Sequence, residues 1–223
     1  MMKITDRYER FLLMAVGILL VPVLIASIWI PKGDDVLMIN GNHSEFTDRL
    51  FTFVTYGGDG MLFVPLIIIL LFIRFSYSIA TVVAWLGHGL ICAIMKRLVF
   101  PSALRPAGVM DNDLLYFIPG VEVHAHHSFP SGHTATAFCL GILVALLLRR
   151  RSVLVIMITF AMLVGYSRIY LLQHFLIDVA AGAIIGIVAA VVCWYLFENF
   201  GKAEWMSRRL EIQVKRSARV STR

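Results

Sequence analysis

Residues 175–197 of this 223-residue chain read FLIDVAAGAIIGIVAAVVCWYLF, an apolar stretch with one charged side chain, Asp178. A helix needs roughly 20 apolar residues to cross the hydrocarbon core of a bilayer, so this stretch predicts a membrane-spanning helix. An acid inside such a helix costs about 2.5–3.5 kcal/mol on insertion scales, which marks Asp178 as a candidate functional residue.

Five further apolar runs accompany this stretch, at about 11–30, 51–73, 77–95, 135–148 and 152–167. Hydrophobic residues make up 59% of the chain and charged residues 15%, against roughly 45–50% and 25% in soluble domains. This composition excludes a disordered chain, a nucleic-acid module and a disulfide-stapled miniprotein, and all three cysteines lie inside apolar runs. We predict an all-α, polytopic membrane protein, in which six transmembrane helices form a bundle and residues 1–223 form a single domain. We also expect residues 57–60, which read GGDG, to bend or break the second helix.

The basic residues predict the orientation of the six spans. With both termini on one side of the membrane, 14 of the 20 Lys and Arg residues lie on that side. Cytoplasmic segments carry an excess of Lys and Arg, so both termini and the basic tail at 202–223 are expected in the cytoplasm. The tail either contacts anionic lipid headgroups or is simply solvated. The net charge of +6 is thus explained by the basic residues that orient the protein in the membrane. We therefore expect no nucleic-acid partner.

Three polar segments fall on the opposite, extracytoplasmic side. One of them, Pro130-Ser131-Gly132-His133, stands directly before an apolar run. Ser131 is a favourable N-cap and Gly132 lets a ligand approach the backbone, so this helix N-terminus is a candidate anion site. An ordinary capped helix start explains the same residues.

Another segment contains Ser167-Arg168 and then His174 and Asp178. His174 and Asp178 stand at i and i+4 and therefore share one helix face. A carboxylate in this place holds one imidazole nitrogen as N–H and leaves the other unprotonated, as in a catalytic triad. A structural His–Asp pair is the alternative. The Arg168 guanidinium is suited to bind two phosphate oxygens at once.

The remaining segment contains Lys96-Arg97 and Arg105-Pro106. Each basic residue taken singly is explained as a headgroup anchor. Together, Lys96, Arg105 and Arg168 bring three cations towards one helix N-terminus and two histidines on one membrane face, which favours an anion-processing site.

These segments resemble the signature of the PAP2 (type 2 phosphatidic acid phosphatase) superfamily. Its pattern is Lys, six residues, then Arg-Pro; later Pro-Ser-Gly-His; later Ser-Arg, five residues, His, three residues, Asp. The second and third motifs match, whereas eight residues separate Lys96 from Arg105 and seven separate Arg97 from it. We favour Lys96 as the lysine of the first motif, with Arg97 as its rival.

The resemblance implies a mechanism. His174 would attack phosphorus to give a phosphohistidine, Asp178 would orient it, and His133 would protonate the leaving oxygen and then activate water. The phosphoryl oxygens would be held by five residues: Lys96, Arg105, Ser131, Gly132 and Arg168. The resemblance implies no metal and no cofactor, since three cations supply the charge.

The expected function is a phosphatase acting on a lipid phosphate or lipid diphosphate at the outer leaflet of a bacterial inner membrane. Undecaprenyl diphosphate, phosphatidylglycerol phosphate, phosphatidic acid and lipid A are all candidate substrates. The alternatives are a phosphotransferase between lipids, a vanadate-dependent haloperoxidase, against which six spans count, and a non-enzymatic transporter. The oligomeric state is left open.

Five histidines lie outside these motifs, and four of them have a specific interpretation. His124, His126 and His127 form a cluster that suits a metal ligand set, a substrate-facing loop or a pH sensor. His88, alone inside the third span, is interpreted as a hydrogen-bonded helix-packing residue.

Overall fold

The structure, a computed structural model, describes residues 7–200 and 204–210. The basic tail predicted at 202–223 therefore lies outside the described residues except for 204–210. Within these ranges the secondary structure is helical, apart from one isolated antiparallel bridge between Leu104 and His126. The α-helices are α1 (Arg7–Trp29), α2 (Asp34–Asn40), α3 (Glu45–Val54), α4 (Phe63–Leu71), α5 (Phe75–Ile94), α6 (Pro106–Val109), α7 (Gly132–Leu148), α8 (Arg151–Tyr170), α9 (Leu176–Phe200) and α10 (Glu204–Ser207).

Among the described residues, four helices are long and apolar enough to cross a bilayer: α1, α8, α9, and α5 with the π-helical turn that extends it to Val99. The segments Glu45–Gly58 and Gly60–Leu71 form a pair bent by 56°, which makes a fifth candidate when counted as one span. The predicted span at 135–148 corresponds to α7, which is apolar but has 17 residues. The fold is thus all-helical and multi-pass.

The expected break at 57–60 is confirmed. Asp59 has an extended backbone (φ −75°, ψ 129°), and its carboxylate accepts the backbone N–H of Met61 at 2.9 Å. The side chain thereby caps the short 3₁₀ turn Gly60–Leu62, which leads into α4. The chain therefore changes direction at residues 58–60, and Gly58 lies against the backbone of His133 at this bend.

Small residues allow the helices at the centre of the bundle to approach closely. There α7 packs against α8 and α9. A Cβ atom added at Gly182 would lie 2.4 Å from the Ser131 carbonyl oxygen, and one at Gly186 would lie 2.2 Å from that of Ala135. The backbones of α7 and α9 therefore touch, as small residues allow in membrane helix pairs. This approach lets the N–H of Ser131 donate to the carbonyl of Asp178 at 2.9 Å.

The turn from α8 to α9 places the candidate nucleophile. The backbone N–H groups of Gln173 and His174 both donate to the carbonyl of Arg168, at 2.9 and 3.2 Å. The Asp35 carboxylate accepts the Leu176 N–H at the start of α9, where a negative charge also complements the helix dipole. His174 is thus held just before α9, one turn from Asp178.

Candidate active site

His174 and Asp178 form a buried pair, with exposed fractions of 1% and 2%. Nδ1 of His174 lies 3.4 Å from Oδ2 of Asp178. The same oxygen accepts the Ser128 hydroxyl at 2.5 Å and the Phe175 N–H at 3.0 Å. The imidazole contact is longer than an ideal hydrogen bond, so the carboxylate is fixed chiefly by Ser128 and Phe175. With Nδ1 directed at Asp178, Nε2 is the ring nitrogen left for a ligand.

His174 is held in its neutral form. Burial lowers the pKa of its imidazole to about 3, and the nearby charges of Arg168 and Arg105 act in the same direction, while Asp178 opposes the shift. A neutral imidazole has an unprotonated nitrogen at neutral pH, which is the form that a nucleophile requires.

A cavity of about 420 Å³ lies beside His174. Three cations line it from three parts of the chain: Lys96 from the π-helical turn after α5, Arg105 from the loop before α6, and Arg168 from the end of α8. The three positive side chains make the cavity suited to a multiply charged anion. Arg97 does not line it, so the structure places Lys96, and not its rival, with Arg105 and Arg168.

Hydrogen bonds fix the two arginines. Nε of Arg105 donates to the His126 carbonyl at 2.9 Å, and Nη1 donates to Oε1 of Gln173 at 2.5 Å. Gln173 is itself held because its Nε2 donates to the Glu122 carbonyl at 2.8 Å. Nη1 of Arg168 donates to the Thr55 hydroxyl at 2.6 Å, while its buried Nε has no partner among the described residues. Both guanidinium groups are thus pre-positioned, with donor groups left for a ligand.

The N-terminus of α7 forms another wall of the cavity, through Gly132 and His133. A Cβ at Gly132 would meet nothing within 4 Å, so this backbone is open to a ligand. Ser131 is fully buried and does not line the cavity. Its hydroxyl oxygen accepts the Thr134 hydroxyl at 2.8 Å and the Thr134 N–H at 3.4 Å. Ser131 therefore caps the helix, as expected, and its side chain is directed at the helix instead of the cavity.

Six of the eight residues predicted for the site line one cavity: Lys96, Arg105, Gly132, His133, Arg168 and His174. The other two do not line the cavity. Asp178 contacts Nδ1 of His174, and Ser131 caps α7 by accepting the Thr134 N–H. Three further polar residues fix the site and were not predicted from the sequence, namely Thr55, Ser128 and Gln173. Gln173 and Ser128 could have been predicted as site residues, since Gln173 precedes His174 and Ser128 stands two residues before Pro130. Thr55 is distant in sequence from all three motifs, so no pattern in the sequence identified it.

The extra histidines occupy different positions. His124 lines the cavity, His126 contributes its carbonyl to Arg105, and Nδ1 of His127 lies 3.3 Å from the Lys96 carbonyl. Among the described residues, no group of three His, Cys, Asp or Glu side chains is placed to hold a metal ion. The interpretation of His88 is confirmed, because its ring nitrogens contact the Ala84 carbonyl at 2.8 Å and the Thr136 hydroxyl at 3.1 Å.

Comparison with known proteins gives bacterial relatives, two of them named as phosphatases and one as a transport permease protein. The chain is 29% identical over 163 residues to lipid A 4'-phosphatase of Bacteroides thetaiotaomicron, covering 68% of this chain and 70% of that one. It is 30% identical over 138 residues to undecaprenyl-diphosphatase BcrC of Bacillus subtilis, covering 56% and 67%. It is 33% identical over 100 residues to the bacitracin transport permease protein BcrC of Bacillus licheniformis, covering 45% and 47%, so the match spans about half of that relative.

A solved structure and a family model agree with these matches. The crystal structure of Aquifex aeolicus LpxE superimposes with a TM-score of 0.63 at 28% identity, over 72% of this chain and 92% of that one. Residues 66–202 match the model of the PAP2 superfamily, a region that contains all three motifs and more than half of the chain. The chain therefore belongs to the PAP2 superfamily.

Proposed function

We propose that this protein is an integral-membrane phosphatase that hydrolyses a lipid phosphate or lipid diphosphate through a phosphohistidine on His174. One observation carries the proposal: the neutral imidazole, backed by Asp178, lines a cavity together with the side chains of Lys96, Arg105 and Arg168. A nucleophile with an orienting acid, facing a cationic pocket, is the arrangement that phosphoryl transfer requires.

Each residue has a role in the proposed reaction. Nε2 of His174 attacks phosphorus, while Asp178 keeps Nδ1 protonated and stabilises the imidazolium that forms. Burial and the charge of Arg168 lower the pKa of His133, on the α7 N-terminus, to about 3. A bound anionic phosphoryl group favours the imidazolium, so His133 takes up a proton with the substrate, protonates the departing oxygen and then removes a proton from the water that hydrolyses the phosphohistidine.

The phosphoryl oxygens are held by the cations and the N-terminus of α7. Lys96, Arg105 and Arg168 neutralise charge that develops in the transition state, and the Gly132 backbone presents helix N–H groups to the same anion. Ser131 contributes by ordering that turn. The cations supply the electrostatic stabilisation, so the proposed reaction needs no metal ion and proceeds in EDTA.

The substrate is proposed to be a membrane lipid. Relatives named for lipid A and undecaprenyl diphosphate support a lipid with a phosphate or diphosphate headgroup, and phosphatidic acid and phosphatidylglycerol phosphate have the same chemistry. The apolar helices that surround the site support a substrate that is anchored in the bilayer.

We further propose the topology: a single domain over residues 1–223 with six spans, both termini in the cytoplasm and the site at the extracytoplasmic face of a bacterial inner membrane. The excess of Lys and Arg on the side of the termini supports this orientation. Cysteine labelling of intact cells tests it. A cysteine at exposed Asp113, in the loop near the site, should react with a membrane-impermeant maleimide, whereas one at exposed Arg150 should react only after lysis.

Phosphate release by purified protein in detergent with EDTA tests the chemistry. His174→Ala and His133→Ala should each abolish turnover, and acid-quenched wild-type protein should contain phosphohistidine that His174→Ala lacks. His43→Ala is a matched control, since His43 stacks on Tyr116 at 3.6 Å and does not line the cavity. Transfer of phosphate to an added lipid instead of water would make the protein a phosphotransferase, and full activity in His174→Ala would overturn the proposal.

A further inference from the structure

A second cavity, of about 490 Å³, adjoins the phosphate cavity and shares Lys96, Gly132 and His133 with it. Its other walls are the break in the bent helix pair at Gly58–Gly60 and one face of α5. His174 lines the first cavity only. His133 therefore stands between the two cavities, with the nucleophile on one side of it.

The geometry of phosphoryl transfer gives the second cavity a role. The attacking and leaving atoms lie roughly in line, on opposite sides of phosphorus. If His174 attacks a phosphoryl group in the first cavity, the leaving group departs on the side away from His174, past His133. The second cavity adjoins the first at His133, the proposed acid for the leaving oxygen, and His174 does not line it.

The shape of the second cavity suits a lipid. Lys96 lies at its upper end, and Gly89 and Trp85 on α5 lie below it. Eleven residues of helix correspond to about 16 Å along the axis, so the cavity follows the membrane-spanning helix well below the level of the cations. Between these ends the wall includes the apolar Cys92 and Ala93. The polar His88 and Thr136 also line the cavity, and they contact each other at 3.1 Å.

The charges at the upper end suit an anion. Arg97 and His127 line this cavity and not the first, beside Lys96, which lines both. Asp59 is the one acidic side chain among the described residues of the lining, and its carboxylate already accepts the Met61 N–H. A lipid alcohol is neutral once it is protonated, whereas a lipid phosphate leaves with negative charge that basic side chains stabilise.

We infer that the second cavity is a leaving-group subsite for a lipid phosphate, so that the substrate class of this protein is a lipid diphosphate. This inference rests on the proposed function of the first cavity. Nε2 of His174 forms a bond to the terminal phosphorus, the bond from that phosphorus to the bridging oxygen breaks, and the electron pair stays on the bridging oxygen. His133 protonates that oxygen, and the lipid monophosphate leaves along α5 while Arg97 and Lys96 face its phosphate.

Two probes with the same tail test the inference: farnesyl diphosphate and farnesyl phosphate, assayed in detergent with EDTA. Wild-type protein should show a kcat/KM for the diphosphate that exceeds that for the monophosphate by about tenfold or more, since a charge-assisted contact contributes on this scale. Arg97→Gln should lower this ratio towards one, and Arg97→Lys should restore most of it. Wild-type hydrolysis of both probes at equal kcat/KM, or a ratio that Arg97→Gln leaves unchanged, would overturn the inference and leave the proposed function standing. If neither probe releases phosphate but phosphatidic acid or lipid A does, the inference is overturned and the proposed function stands. If none of these lipids releases phosphate, the proposed function fails as well.

Two glycines of α5 offer a matched pair of variants. A Cβ at Gly89 or at Gly87 would meet nothing within 4 Å, but only Gly89 lines the second cavity. Because leucine is a better helix former than glycine, both Gly89→Leu and Gly87→Leu should fold. Gly89→Leu fills the path of the lipid and should lower kcat/KM for farnesyl diphosphate by about tenfold or more, the scale on which a pocket discriminates by size. Gly87→Leu should stay within about twofold of wild type, since a Cβ there meets no neighbour within 4 Å and Gly87 does not line the cavity. Equal activity in the two variants would show that the leaving group does not occupy this cavity.

Discussion

The Ser128 hydroxyl donates its hydrogen bond to the same oxygen of Asp178 that faces Nδ1 of His174. The serine is buried, with 1% of its surface exposed, and stands two residues before the cis bond that precedes Pro130. The loop that leads into α7 thereby orients the carboxylate of α9. Ser128 acts through Asp178 and is a positioning residue.

Removing the Ser128 hydroxyl should weaken this orientation. We expect Ser128→Ala to lower kcat by about tenfold, because a hydrogen bond to a charged group contributes roughly 1.5–3 kcal/mol, with a smaller change in KM. Steady-state kinetics with a lipid phosphate provide the measurement. Ser128→Thr, which retains a hydroxyl, should recover most of the loss. An increase in KM at constant kcat would contradict a role in orienting the nucleophile.

Gln173 should set the position of Arg105 and hence the affinity for phosphate. Gln173→Met keeps the volume but removes the acceptor for Arg105, so KM should rise by about tenfold as a charge-assisted bond is lost. Gln173→Glu keeps an acceptor but adds negative charge beside the phosphate cavity, and should raise KM further. The order of the KM values of the two variants is the test. A larger defect in Gln173→Met than in Gln173→Glu would indicate that packing, and not charge, is the function of Gln173.

The neutral state of His174 predicts a pH dependence of stability. Its folded-state pKa of about 3 lies below the ordinary value of 6.5, so the folded protein binds fewer protons than the unfolded chain. The stability contributed by neutral His174 is therefore fully present above about pH 6.5 and is lost as the pH falls towards 3. At pH 5 the loss amounts to about 2 kcal/mol, at 1.36 kcal/mol per pH unit.

Thermal unfolding in detergent between pH 7.5 and pH 4.5 measures this loss. The Tm of the wild type should fall more steeply with decreasing pH than that of His174→Asn, which has no titrating ring. Imidazole ¹⁵N shifts should report His174 as neutral throughout this range. Parallel Tm curves for the two proteins, or an imidazolium signal from His174 at pH 5, would contradict the expectation.

The contact between α7 and α9 should tolerate no side chain at Gly186. An added Cβ would lie 2.2 Å from the Ala135 carbonyl oxygen and 3.0 Å from its carbon, so the helices must separate. Gly186→Ala should lower the Tm by several degrees and reduce activity, because overpacking costs about 1–3 kcal/mol and α9 carries Asp178. Gly17→Ala in α1 is the control, since a Cβ there meets nothing within 4 Å and should leave the Tm unchanged.

Much of the site was predictable because its chemistry is local in sequence. The spacing of His174 and Asp178 places them on one helix face, and Pro130-Ser131-Gly132-His133 contains its own helix cap. The apolar runs predicted α1, α5, α8 and α9 because the length of a spanning segment is fixed by the bilayer. The run at 51–73 is a bent pair, and the run at 135–148 gives a helix of 17 residues. Sequence spacing did not decide between Lys96 and Arg97, because both lie in the same π-helical turn. They differ in the direction of their side chains, which only the structure shows.

By itself, the sequence determined the helical class, the break at 57–60 and the set of candidate site residues, because apolar length, glycine content and short-range spacing act within a few residues. The tertiary structure alone decided which polar side chains meet across the bundle: Thr55 with Arg168, Gln173 with Arg105, and Ser128 with Asp178. It also decided that His133 stands between two cavities. The physical reason is that the partners in these contacts are distant in sequence and meet only when the bundle packs. That packing includes the close approach of α7 and α9, which glycines allow and whose effect appears only when two backbones meet.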